Sequence, residues 1–175
     1  MRNSLFFILL LSLLFQVSCK KDETPPTSGT VTIDNTTTLG QTYYVYGFLF
    51  SLAKKVSTLD NPPPDITIDS DGTNLVLQAN NLKYSFYKAG EYNDAASAAT
   101  AYNNLKSATI AEPEWEGLAS PVKEHQIWIY RSGTKHYAKF RIVSTKTGPG
   151  QVKPYAECTF EWEYQPDGTL TFPGK

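Results

Sequence analysis

Few side chains in this 175-residue chain are equipped for ligation or nucleophilic chemistry: His125 and His136, Cys19 and Cys158, and the lone methionine Met1. Neutral imidazole is a good ligand for iron, and its pKa lies near neutrality, so the histidines come first. They flank two strand-like runs, 125–130 and 135–143, joined around Ser132-Gly133. A two-residue loop there pairs Arg131 with Thr134, Ile129 with His136 and His125 with Phe140. That register puts both rings on one face, four residues or about 14 Å apart along the strand. Such a span suits two imidazoles approaching a haem iron from opposite sides. A three-residue loop would shift the pairing by one and send the rings to opposite faces. The other reading of the same residues is a core-facing His136 bonded to a backbone carbonyl, with His125 exposed.

The carboxylates form two groups. Glu112, Glu114 and Glu116 surround Pro113 and Trp115, which reads either as an acid pair beside an aromatic, as glycoside hydrolysis needs, or as a solvated acidic loop. Glu157, Glu161 and Glu163 alternate along a strand, as charges on an outward face do. The chain has no paired-cysteine metal motif, nucleophile elbow, Walker loop or His-Glu-x-x-His stretch, so a non-enzymatic protein without a metal centre of its own is expected. With 16 Lys and Arg against 17 Asp and Glu, it carries no basic footprint for nucleic acid.

Most of the chain that must position these groups reads as β-structure. Tyr43–Phe50 is aromatic and β-branched. Ile66–Ile68 and Leu75–Leu77 flank the turn residues Asp69-Ser70-Asp71-Gly72. Leu82, Tyr84 and Phe86 alternate with polar residues as in a half-buried strand. Asn93 or Asp94 can cap one helix over about 94–106, with Ala95, Ala99, Tyr102 and Leu105 on one face. Pro113 and Pro121 bracket an irregular loop. His136, Ala138, Phe140 and Ile142 oppose Tyr137, Lys139 and Arg141. In the last long strand Ala156, Cys158, Phe160, Trp162 and Tyr164 share the apolar face, making Cys158 a buried, inert thiol. Pro166–Thr169 turns the chain, and Leu170–Phe172 can add an edge strand. The expected fold class is mainly β: an antiparallel, sandwich-like domain with one α-helix.

The N-terminus speaks to location. Arg2 precedes the apolar run Leu5–Leu11, continued by Leu13, Leu14 and Phe15, which reads as a secretory signal peptide over 1–18. The run is too short for a permanent span. Gln16-Val17-Ser18-Cys19 resembles the lipobox of bacterial lipoproteins, in its looser Bacteroidota form. The resemblance implies acylation of Cys19 and a membrane anchor of several chains. Lys20-Lys21-Asp22-Glu23 is similar to the charged motif that sends some such proteins to the outer face of the outer membrane. Residues 19–30, with Pro25 and Pro26 among Ser and Thr, read as a flexible tether. A single β-rich domain over 31–175 is expected to follow.

At the C-terminal hairpin a second resemblance emerges. Ile127-Trp128-Ile129-Tyr130, a Gly turn, His136 to Ile142, and Cys158-Thr159-Phe160-Glu161-Trp162-Glu163-Tyr164-Gln165 resemble the end of HmuY-like lipoproteins. Phe50–Val56 and Asp65–Ile68 are compatible with it. The resemblance covers the last third and implies an all-β, surface-exposed lipoprotein that captures a small ligand, with haem as possible cofactor and an outer-membrane transporter as possible partner. Haem-binding members use pairs of histidines or methionines, and Met1 leaves with the leader. The alternative expectation is a carbohydrate-binding or protein-interaction component of an outer-membrane uptake complex, presenting exposed aromatics such as Trp115 and Trp128.

Overall fold

The computed structural model describes residues 24–38, 44–80, 84–150 and 153–174. Among these the chain is mainly β, with two antiparallel sheets and one α-helix. The strands are β1 (Ser28–Asp34), β2 (Thr37–Thr38), β3 (Tyr44–Leu49), β4 (Lys54–Ser57), β5 (Ile66–Ser70), β6 (Leu75–Ala79), β7 (Phe86–Glu91), β8 (Leu118–Ala119), β9 (Gln126–Arg131), β10 (Tyr137–Gly148) and β11 (Tyr155–Gln165). The helix, α1, is Ala95–Asn104. One sheet has the order β1-β11-β10-β9-β7, the other β2-β3-β5-β6-β8 with β4 also on β3. β1 begins at Ser28, so the last residues of the expected tether already belong to a sheet.

Alternation decides which faces meet. Ala138, Phe140 and Ile142 on β10 and Ala156, Cys158, Phe160 and Trp162 on β11 are all buried, together with Phe48, Ile66, Ile68 and Leu77 of the second sheet. Phe50 lies at the centre of this layer, stacked on Tyr130 at 5.5 Å and parallel to Tyr164 at 6.4 Å. Burying one such ring contributes about 2–3 kcal/mol, and each aromatic pair about 0.5–1.5 kcal/mol more. Gly47 is required where β3 meets β5: a Cβ there would run into the Ile66 carbonyl oxygen.

The outer face of the first sheet is covered as well. α1 starts at Asp94, whose Oδ1 accepts the Ser97 N–H at 2.8 Å. It buries Ala98 and Tyr102; of the expected stripe Tyr102 is buried, Ala99 and Leu105 are half-buried, and Ala95 is exposed. A second cluster, Trp115, Ile129, Tyr137 and Phe172, fills the rest of this face. Leu170–Phe172 forms no strand; Phe172 is instead buried here, its N–H donating to the Lys106 carbonyl. Covering this face changes the role of its charges. Glu163, expected to point into water, is 6 % exposed and pairs with the buried Lys139 at 3.0 Å. Lys139 Nζ also donates to the carbonyls of Tyr102 (3.1 Å) and Leu105 (2.9 Å), so two of its protons satisfy the negative end of α1 and the third goes to Glu163.

Two further differences concern boundaries. The expected strand over Leu82–Phe86 starts only at Phe86. Tyr84 is 59 % exposed while Phe86 is fully buried, and residues 81–83 lie outside the described ones. The β9–β10 hairpin has a five-residue loop, 132–136, where two residues were expected. Tyr137 pairs with Arg131 and Phe140 with Trp128, three residues away from the expected register. The loop closes through Ser132 N–H to the His136 carbonyl (2.9 Å) and Lys135 N–H to the Ser132 carbonyl (3.1 Å), with Lys135 left-handed at φ 58°.

Candidate functional site

The register decides the fate of the histidine pair. A shift of three is odd, so it moves one ring to the other face of the sheet. His136 lies on the sandwich side: its Nδ1 meets the Tyr164 hydroxyl at 3.0 Å, and it feels the field of Asp65 on β5's approach. His125 lies at the far end of β9 in a left-handed conformation (φ 68°), facing the Asp94 charge that caps α1. Its N–H donates to the Ile142 carbonyl, and its buried Nδ1 has no hydrogen-bond partner. Seven residues separate the two levels along the sheet, about 24 Å. The structure therefore does not bring His125 and His136 together, and a bis-histidine haem site built on the two-residue loop is not the arrangement found. Cys19 lies outside the described residues.

The aromatics expected to be exposed are also elsewhere. Trp128 is fully buried in the sandwich core, and Trp115 is 4 % exposed. Trp115 carries the Arg131 guanidinium over its ring at 4.4 Å, and Arg131 Nη1 grips Glu112 at 2.8 and 3.0 Å. The Glu112 loop is thus a lid pinned to β9, and neither tryptophan offers a platform to a sugar.

At the His136 end, four polar groups converge between the sheets. Asp65 Oδ1 accepts from the Tyr130 hydroxyl (3.1 Å) and Oδ2 from the Phe50 N–H (2.8 Å). Burial pushes the Asp65 carboxyl above its ordinary range, against the pull of these two donors and of His136. Sequence reading missed Asp65; only its place directly after the Pro62–Pro64 run, at the head of β5, hinted at a special position.

The opposite end holds a cleft of about 390 Å³ lined by Asn35, Thr36, Thr37, Pro149, Gly150, Lys153 and Tyr155. Its walls are the β1–β2 and β10–β11 connections, and Asn35 rivets them. The Asn35 side chain donates to the Pro154 carbonyl at 2.8 Å and accepts the Ala156 N–H at 2.8 Å. Lys153 Nζ reaches Asp69 at 2.8 Å. Burial alone would raise the Asp69 carboxyl, but Lys153, the Ser70 N–H and Asn35 together hold it below its ordinary value. The Tyr155 hydroxyl donates to Glu157 at 2.5 Å, which fixes the ring and pushes its pKa up to about 12. None of these residues belongs to a motif, and the cleft arises only when two distant connections are folded side by side.

No family model, no curated protein and no solved structure matches the chain.

Proposed function

We propose that this protein is a lipid-anchored lipoprotein of the outer membrane, displayed at the cell surface, that binds a small ligand without transforming it. The observation that carries this reading is the apolar leader ending in Val17-Ser18-Cys19, followed by a tether that leads into β1 at one tip of the sandwich. Orientation follows from strand direction. β1 pairs Ser28 with Glu163 and Asp34 with Glu157, so it runs from the end holding the 132–136 loop towards the end holding the cleft. Nine residues from Cys19 to Ser28 span at most about 32 Å. The tether therefore joins the domain at the end opposite the 390 Å³ cleft, which leaves the cleft open to a ligand or a transporter partner. Cys19→Ser tests the anchor: metabolic labelling with a fatty acid should be lost and normal removal of the 1–18 leader blocked. Labelled, membrane-bound Cys19→Ser protein would overturn the reading.

Haem capture is a second reading, favoured by one observation. His136 is half-buried with Nδ1 held by Tyr164, leaving Nε2 without a partner among the described residues. A hydroxyl bonded to one ring nitrogen in this way fixes the imidazole's orientation and leaves the other nitrogen free to ligate iron. A haemin titration reads it out: a Soret shift abolished by His136→Ala and kept by His125→Ala supports single-histidine ligation, and no shift in the unsubstituted protein removes haem.

A further inference from the structure

We infer that the cleft between the β1–β2 and β10–β11 connections is a binding site for a neutral saccharide of one or two rings, an inference that rests on reading the protein as a ligand-binding one. Size comes first. At about 390 Å³ the cleft is within the range of small-molecule sites, and two other depressions are 240 and 210 Å³. Charge excludes the simplest alternative. Lys153 is the only cation on the lining, and Asp69 already neutralises it at 2.8 Å, so an anion would find no uncompensated positive charge. Pro149 and the Tyr155 ring supply apolar wall beside the amide, hydroxyl and amine groups, a mixed lining that matches the C–H face and the hydroxyls of a sugar ring.

What remains free is suited to a polyol. The Thr36 backbone N–H is taken by Asp34 at 2.8 Å, but the hydroxyls of Thr36 and Thr37 have no partner among the described residues. Each hydroxyl both donates and accepts, as sugar hydroxyls do. Lys153 spends one proton on Asp69 and keeps two donors. Tyr155 supplies an amphipathic ring of the kind that packs on the C–H face of a sugar, held rigid because its hydroxyl is tied to Glu157. Asn35 is fully engaged with Pro154 and Ala156, so it builds the site without contacting ligand. Preorganised walls and unsatisfied hydroxyls are the combination that lets a weak, polar ligand bind without first ordering its site. Lys153 also lines the 240 Å³ groove beside Gln78 and Asn80, so a second ring has a polar surface onto which to extend.

The test uses the acylated protein purified from membranes into nanodiscs, with maltose, lactose and mannobiose as probes in saturation-transfer NMR. At least one should receive magnetisation, and sulfate should not compete with it. Thr36→Val with Thr37→Val should weaken that binding about tenfold or more, the loss of two hydrogen bonds. Tyr155→Ala should abolish it, while Tyr155→Phe should retain it. In the unsubstituted protein the bound sugar should slow hydrogen exchange at residues 35–37 and 153–155, a readout that does not depend on any variant folding. No transfer from any of the three probes overturns the inference. Transfer without protection at those residues, or binding that survives in the folded Thr36/Thr37 and Tyr155→Ala variants, overturns it too. The acyl mass of the same sample reports separately on the anchor, so failure of the saccharide site and failure of the lipoprotein reading are distinguished.

Discussion

Lys139 and Glu163 are 1 % and 7 % exposed and meet at 3.0 Å beneath α1, so breaking this pair is the most severe single perturbation of the fold. In Lys139→Met the Glu163 carboxylate keeps the Gly174 N–H at 2.8 Å but loses its cation, and the Tyr102 and Leu105 carbonyls lose the Lys139 donor. Leaving one charge buried and unpaired typically costs about 3–5 kcal/mol. The Leu105 carbonyl, left without its donor, pushes the same way, while the Tyr102 carbonyl keeps the Leu105 N–H. Urea unfolding followed by fluorescence of the buried tryptophans measures it. With a slope of about 2 kcal/mol/M for a domain of this size, the midpoint should fall by about 2 M. The double variant Lys139→Met/Glu163→Leu removes both charges and should recover at least about 2 kcal/mol relative to the sum of the singles. Hydrogen exchange in the last turn of α1 should quicken in every variant lacking Lys139. A single variant within about 0.5 kcal/mol of the unsubstituted protein, the range of an ordinary surface change, would refute the buried-pair reasoning.

Cys158 is fully buried, and burial pushes its thiol up; a thiol reagent should label it slowly in the native protein and fast in denaturant, and equal rates would remove it from the core. Asn35→Ala strips a donor from the Pro154 carbonyl and an acceptor from the Ala156 N–H, so it should destabilise by about 2 kcal/mol in urea. The Asp69 carboxyl is held below its ordinary value, so its contribution is present above the unfolded pKa of about 3.9 and is lost as pH falls through the lower folded value. The stability gap between the unsubstituted protein and Asp69→Asn should accordingly be constant at neutral pH and close below about pH 4; a gap that widens in acid would reverse the assignment.

Strands were legible wherever one face met the core and the other did not. The Ala156–Trp162 alternation gave β11 its buried face directly, and Asp94 marked the start of α1. What failed, failed for identifiable reasons. Ser132-Gly133 has the chemistry of a two-residue turn, yet the left-handed residue of the actual loop is Lys135, a type that does not advertise that conformation. Three residues of slip then separated His125 from His136. Glu163 alternates like a solvent-facing charge, but alternation only says which face a residue is on, and α1 with the C-terminal segment buries that face. Trp115 sits among glutamates in the sequence and under Arg131 in the fold. Asn35 lies over a hundred positions from Lys153 and Tyr155, so no local pattern announced the cleft.

We propose Cys19 as the acylated N-terminus of a protein held at the membrane through the tether before β1, and intact-mass spectrometry of the protein purified from membranes decides it. The predicted mass is that of a chain beginning at Cys19 and carrying acyl chains, falling on mild alkaline hydrolysis by the mass of the ester-linked chains while the thioether-linked glycerol and any amide-linked chain stay on Cys19. A mature chain that begins elsewhere, or one that begins at Cys19 with an unmodified thiol, would contradict the account.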